Sequence, residues 1–376
     1  MKQPLPLTVK RSVELLGLCL LILLFYLGKD IIMPLLMAFF VSLLLLPLFR
    51  LLQRLKVPEV LAIVFSIFTA ALLVLAVLGF FSFQIATLVK DFPQIERNVN
   101  LHWQTLSGWI NEKLHFSAEE QLKMLQEQGT KLLNNAGSYM SGAAVSLTGV
   151  FVFLGLLPIY VFLLLFYKNL LLRFIFLWFS KDHHTQVESA LRETEVIIKS
   201  YLMGLLIQIT YMTVLVGGIL MIIGIKHALL IGVIFAILNL IPYVGALVGN
   251  IIGVILTLTS SQELWHVVAV LLVIAVVQFL DNNILMPRIV GSKVKINALV
   301  SIVGVVIGGT IGGVAGMFLS LPLIAILKII FDRTVEFRHW GVLLGDERPK
   351  LSPMTHPALR LRNRHIRRKD DEDEEG

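Results

Sequence analysis

A single cysteine, Cys19, stands in an apolar run of this 376-residue chain, so neither an intrachain disulfide nor a cysteine metal cluster is open to it. Charge is scarce as well: Asp, Glu, Lys and Arg make up 15% of the residues, against about 25% in soluble domains. The chain has no Gly-x-Ser-x-Gly elbow, no phosphate-binding loop and no His-Glu-x-x-His helix, which argues against an enzyme and against a pump that carries its own ATP engine. Asp182-His183-His184 is the nearest approach to a metal triplet. No further ligand accompanies it at a suitable spacing, so it reads as the start of a helix, and no metal site is expected.

What the chain has instead is hydrophobic sequence, 57% of the total, enough for roughly six to eight spans of about 20 residues each. The fold class expected is an all-α polytopic membrane protein. The formal charge of +7 comes from basic residues that lie mainly beside apolar segments, where anionic lipid and membrane topology account for them; no nucleic-acid partner is expected.

Apolar runs at 13–27 and 31–49 are parted only by Gly28-Lys29-Asp30, which leaves room for nothing but a tight helical hairpin. The first run lacks a small-residue cleavage site and reads as a retained helix. Arg50, Arg54 and Lys56 place the end of the second run in the cytoplasm, together with the N-terminus. The run at 60–89, roughly 45 Å as helix, delivers the chain outside. Residues 90–140 change character: Phe92, Ile95 and Val99, then Trp103, Leu106 and Ile110, fall at helical spacing, as in amphipathic helices on the membrane surface, on a neighbouring subunit, or in a packed cap. A fourth span at 143–167 returns to a basic cytoplasmic stretch, and a helix at 180–200 feeds the fifth span, 201–225.

Two later stretches break the pattern. Between 226 and 260 two apolar pieces, each too short for a comfortable span, flank Asn239-Leu-Ile-Pro242-Tyr243-Val-Gly245; proline ends the hydrogen-bond ladder there, at membrane depth. The stretch at 296–331 would be roughly 54 Å as one helix and must fold back, with Gly308-Gly309-Thr-Ile-Gly312-Gly313 the place for it. Between these two hairpins lies a span at 264–280. The organisation expected is a three-helix membrane segment (1–89), an extracytoplasmic amphipathic layer (90–140), a core with about six full spans in the whole chain and two Gly/Pro-broken re-entrant hairpins (141–331), and a charged cytoplasmic tail (332–376).

Paired interrupted helices of this kind point to a transporter binding site, because broken ends free amides and carbonyls for ions and polar solutes. Asp281 is the leading candidate, an acid at the end of a span beside Gln278, Asn282 and Asn283, able to bind a coupling ion, H⁺ or Na⁺. The alternative is an interfacial anchor paired with Arg288. Gln208 and Tyr211, at i and i+3, are placed to meet Asn239 and Tyr243 across the bundle; Asn250 is a further polar residue of the same kind. Pro242, Tyr243, Gly245, Pro287, Gly308, Gly309, Gly312 and Gly313 supply the broken geometry. Gly245, Gly249 and Gly253, and Gly304, Gly308, Gly312 and Gly316, recur every four residues, which suits either static close packing or a smooth sliding surface. The expected partners are the lipid bilayer and a small polar solute or cation, and the function a secondary transporter, with a channel or a non-transporting scaffold as alternatives.

Tyr201-Leu-Met-Gly204, Asn239-Leu-Ile-Pro242-Tyr243-Val-Gly245, Asp281-Asn-Asn-Ile-Leu-Met-Pro287 and the glycine-rich segment ending in Pro322 together resemble the autoinducer-2 exporter family of bacterial membrane proteins, over roughly residues 10–340. In that family Gly204 is usually followed by glutamine and Gly245 often by proline; here Leu205 and Ala246 stand there. The resemblance implies a multispan homo-oligomer, a pentamer, of the bacterial cytoplasmic membrane. Members are linked to export of autoinducer-2, and others look like sodium(lithium)/proton antiporters.

Overall fold

In a computed structural model of the chain, residues 7–114, 155–241, 244–289, 296–334, 337–346 and 354 are described. Every regular element among them is helical. Helix α1 (Leu7–Leu27) passes through Gly28 into α2 (Lys29–Arg54), followed by α3 (Glu59–Lys90) and, after a corner at Asp91, α4 (Phe92–Leu114). The Gly28 N–H bonds the Leu24 carbonyl and the Ile32 N–H bonds the Gly28 carbonyl, each at 2.8 Å, so helical bonding runs across the junction and the tight hairpin expected there is not formed. Helices α5 (Gly155–Phe166) and α6 (Lys168–Trp178) meet at a 65° bend. A short 3₁₀ turn, Lys181–His183, leads into α7 (His184–Met212), which runs through a π-helical segment, Thr213–Gly217, into α8 (Gly218–Ile223). Then come α9 (Ala228–Leu238), α10 (Val244–Ser260), α11 (Leu264–Leu280), a second π segment (Asp281–Leu285), α12 (Met286–Ile289), α13 (Ala298–Arg333) and α14 (Arg338–Leu344). Five helices are long and apolar enough to cross a membrane, six if the bent α5–α6 pair is one span.

Three apolar clusters hold these elements in place. Phe49 on α2, Ile63 on α3 and Val161 and Leu165 on α5 form the first. Met33 and Phe40 on α2, Ile198, Tyr201 and Leu205 on α7 and Leu319 on α13 form the second. The third joins Met212 and Val216 to Phe235 on α9 and Val270 and Ile274 on α11. Of α3 only Ala62, Ile63 and Ser66 are buried, so most of its 32 residues present an apolar surface, as expected of a helix bathed in lipid.

Both anticipated breaks are present. The first hairpin, α9–α10, turns between Asn239 and Val244; Pro242 and Tyr243 lie outside the described residues. A Cβ on Gly245 would sit 2.2 Å from the Asn239 Cα, so only glycine lets α10 begin this close to the turn. Limb α9 rests directly on the first π segment, with a Cβ on Gly232 reaching 2.7 Å from the Gly217 nitrogen. In α13 the helical geometry fails at Gly312 and Gly313, where Gly313 takes φ 58° and ψ −141°, a conformation that L-residues with a side chain avoid. The chain reverses there, and limbs 298–311 and 314–333 lie so close that a Cβ on Gly316 would stand 2.0 Å from the Gly308 carbonyl oxygen. The ladders thus pack the two limbs of each hairpin against one another: Gly249 meets Phe235 and Gly304 meets Ile324. At the tip, a Cβ on Gly312 would strike Met33.

Two features go beyond the sequence reading. Amphipathic α6 bends away from the span that precedes it instead of continuing it, and the region expected as a charged tail begins with a packed helix. Asn297 joins that helix to the second hairpin: its Oδ1 accepts from the Val300 N–H at 2.9 Å and caps α13, while its Nδ2 donates to the carbonyls of Leu343 (2.7 Å) and Gly345 (3.0 Å).

Candidate functional site

The end of α11 is where polar groups converge. Asp281 is 1% exposed and opens the second π segment. Gln208 Nε2 donates to its Oδ2 at 2.9 Å and Asn239 Nδ2 to the same oxygen at 3.4 Å, while the Tyr211 hydroxyl donates to Oδ1. One carboxylate thus ties together α7, the tip of the first hairpin and the α11 junction. Each partner is there for a local reason. Gln208 and Tyr211 are i and i+3 and share a face, and Asn239 is the residue that Gly245 allows to close the hairpin turn. A π segment follows α7 just beyond Tyr211, and another starts at Asp281 itself. Such i→i+5 turns concentrate at functional sites, and nothing in residue spacing announces them; the only local hints are Gly217-Gly218 and the run of amides after Asp281.

All three donors are neutral, and among the described residues no Lys, Arg or His pairs with Asp281. Burying an ion costs several kcal/mol even after relaxation, and hydrogen bonds to a charged group return about 1.5–3 kcal/mol each. Gln208 is 2% exposed, and its Oε1 has no partner among the described residues, which leaves an acceptor oxygen beside the carboxylate. A group built this way can exchange its donors for a proton or for a small cation that prefers oxygen ligands.

The other sequence candidates are placed as follows. Gln278 and Asn282 do not join the cluster: Gln278 Nε2 donates to Asn282 Oδ1 at 3.2 Å, and Asn282 is exposed. At 3.6 residues per turn they stand about 60° and 100° round the helix from Asp281 and so near each other, which corrects the expectation that they share its ligand shell. The anchor reading of Asp281 also falls, because Arg288 is exposed and Asp281 is not. Asn250 donates to the Ala246 carbonyl of its own helix. Pro287 lies within α12.

At the far base of the first hairpin, α4 acts as a clamp. Asn98, fully buried, donates to the Thr259 carbonyl at 3.0 Å, and His102 Nε2 lies 2.8 Å from the Ser261 carbonyl. Lys226 bridges to Asp91 and to Gln94 at 2.8 Å each. In the connection between α8 and α9, His227 is 3% exposed with Nε2 3.5 Å from Asp91 Oδ2. Burial holds this imidazole below its ordinary 6.5, outweighing the pull of Asp91 and reinforced by Lys226. The unfolded chain therefore takes up the proton first as pH drops below 6.5, and the clamp loses stability from there toward the lower folded value. Thermal melts of wild type and His227→Gln between pH 8 and 5 check this: wild type is expected to lose more midpoint on the acid side, and parallel curves would exclude the contribution.

With this geometry in view, the sequence model of AI-2E family transporters matches residues 15–336. The chain belongs to the AI-2E family. Two relatives within this transporter family match along most of their own length. The "AI-2 transport protein TqsA" of Escherichia coli is 27% identical over 326 residues, covering 85% of this chain and 90% of that protein. For the "Putative transport protein YrrI" of Bacillus subtilis the identity is 24% over 318 residues, 82% of this chain and 88% of that protein. This AI-2E chain is accordingly a multi-pass, all-α membrane protein of a transport family.

Proposed function

We propose that the protein is a secondary transporter of the bacterial cytoplasmic membrane that moves a small polar solute, autoinducer-2 being the first to try, by alternating access around Asp281. The observation that carries this reading is the buried Asp281 carboxylate held by donors from α7 and the first hairpin, with no countercharge among the described residues. A proton or cation arriving there removes the reason for Gln208, Tyr211 and Asn239 to converge, so the hairpin tip is freed from α7; departure of the ion re-forms the junction. The clamped hairpin base stays put while the tip moves.

Arg50, Arg54, Lys168 and Arg192 support a cytoplasmic placement of the bundle end that carries α14 and of both termini. Asn282, exposed at the end of an apolar membrane helix and bonded to half-buried Gln278, supports a homo-oligomer, a pentamer in the reading its family suggests, since polar side chains act as glue between such helices. A second reading, sodium(lithium)/proton antiport, is favoured by the orphan Gln208 oxygen beside the carboxylate, which suits a hard cation.

The test is flux in proteoliposomes under imposed proton and sodium gradients, with autoinducer-2, Na⁺ and Li⁺ as probes and Asp281→Asn alongside wild type. Saturable, gradient-driven movement that depends on Asp281 is the expected result. Unsaturated currents far above carrier rates would mark a channel, and no movement of any probe a scaffold; either overturns the proposal.

A further inference from the structure

On the α14 side of Asp281, α7 and the second hairpin line a partly open cavity of about 160 Å³ whose lining includes Ile198, Tyr201, Ser301, Pro322 and Ala325. At about 30 Å³ per molecule there is room for about five waters. Tyr201 is 8% exposed, and its hydroxyl has no hydrogen-bond partner among the described residues. The hydroxyl oxygen is itself open to a molecule the size of water, so a water or a ligand can meet it there. Ser301 Oγ donates to the Asn297 carbonyl at 3.0 Å, which leaves its lone pairs free to accept. Pro322, inside α13, has no N–H for the Phe318 carbonyl one turn earlier. No charged side chain lines the space among the described residues.

The cavity also stands in a particular relation to the carboxylate. Tyr201 and Gln208 share a face of α7 two turns apart, about 10 Å along the axis. Between them Leu202 and Leu205 pack in one cluster with Leu240, from the tip of the first hairpin, and Met286, the residue just after the second π segment. Apolar side chains from the two elements that meet at Asp281 thus pack against the same cluster that holds Tyr201.

We propose that this cavity is a hydrated second station for a small, uncharged, hydroxyl-bearing solute, that the Tyr201 hydroxyl is its contact, and that Leu240 and Met286 are the plug it passes on the way to Asp281. The lining, neutral among the described residues, sets the class: an ion entering here would lose hydration with no countercharge there to replace it, whereas a hydroxylated solute exchanges water for Tyr201 and Ser301. The ion that binds Asp281 then reaches it by another route or as a proton. The path to Asp281 rests on the carrier reading; the hydrated neutral cavity does not.

The lone Cys19 makes the test clean. In a Cys19→Ser background, Ser301→Cys and, across the cavity, Ala325→Cys are exposed in proteoliposomes to two thiol reagents of equal length, neutral 2-hydroxyethyl methanethiosulfonate and its sulfonatoethyl anion. Leu272→Cys, on the lipid-facing side of α11, is the dry control. The neutral reagent is expected to label both cavity positions at least 10-fold faster than Leu272→Cys and faster than the anion does. Adding Tyr201→Phe is expected to slow that labelling about 2- to 10-fold, the worth of one hydrogen bond, with the melting midpoint unchanged. No labelling at either position overturns the hydrated cavity, equal labelling by both reagents overturns its selectivity, and an unchanged rate with Tyr201→Phe removes the contact. The carrier reading fails separately: Asp281→Asn protein that labels normally and transports normally overturns that reading while the cavity stands.

Discussion

Asp281→Asn protein is expected to assemble and melt like wild type yet to lose gradient-driven flux by at least about 100-fold. The substitution keeps shape and volume, so the apolar cluster of Met212, Phe235 and Ile274 next to it is undisturbed. What changes is the charge and one acceptor: an amide nitrogen now faces donors that previously shared a carboxylate. The junction can no longer take up and release a proton or cation, and the hairpin tip has lost its signal to move. The loss expected corresponds to roughly 3 kcal/mol, the upper range for a hydrogen bond to a charged group. Asp281→Ala is the contrasting case. It leaves Gln208, Tyr211 and Asn239 without their acceptor in a buried place, at about 1–3 kcal/mol each where no water replaces it, so thermal stability falls along with flux. Flux and melting measured on the same preparations separate the two; normal coupled flux from Asp281→Asn would remove the carboxylate from the mechanism.

The second large effect belongs to Gly316→Ala. The added methyl would stand 2.0 Å from the Gly308 carbonyl oxygen and 2.8 Å from its carbon. Both obstacles are backbone, so no rotamer relieves them, and the limbs of the second hairpin must splay. Overpacking of a core commonly costs about 1–3 kcal/mol, and a contact this short lies at or above the top of that range. A fall of about 5 °C or more in the melting midpoint is expected, together with loss of transport, because the tip that rests on Met33 is displaced. Gly79→Ala is the control. Nothing lies within 4 Å of that position on α3, and exchanging a mid-helix glycine for alanine is neutral or stabilising. Equal melting of the two variants would show that the limbs are not held by the Gly308–Gly316 contact.

Much of this site is legible in the sequence, because polar residues are conspicuous among apolar ones. Asp281, Gln208, Tyr211 and Asn239 interrupt hydrophobic segments, and each interruption has to be matched inside the bundle. The re-entrant stretches are legible from length alone, since 36 residues in α13 exceed any bilayer crossing; the glycine ladder taken by itself suits a continuous helix, and the positive φ at Gly313 decides the matter. Gln278 and Asn282 are misplaced by sequence reasoning because nearness in sequence to Asp281 says little about direction, and a π segment beginning at Asp281 alters the facing of the residues after it. The α5–α6 bend and the docking of α14 are not legible at all: apolar spacing reports which face of a helix is buried, not where the next helix turns. His227 and Asp91 lie far apart in the chain and read as loop charges until the hairpin base brings them within 3.5 Å.

The two π segments carry a consequence for how this chain tolerates change. A π turn holds one residue more than the α turn it replaces, so Thr213–Gly217 and Asp281–Leu285 each amount to a one-residue surplus that fixes the rotational phase between the helix before it and the helix after it. Deleting a single residue within them lets the turn relax to α and leaves the helices on either side in the same phase, whereas the same deletion in the α-helical stretches around them rotates everything beyond it by about 100°, swinging α8 and α9 in one case and α12 in the other away from their neighbours. These two places are where the chain can shed a residue without turning its neighbours, at the cost of the local opening that the π turn provides.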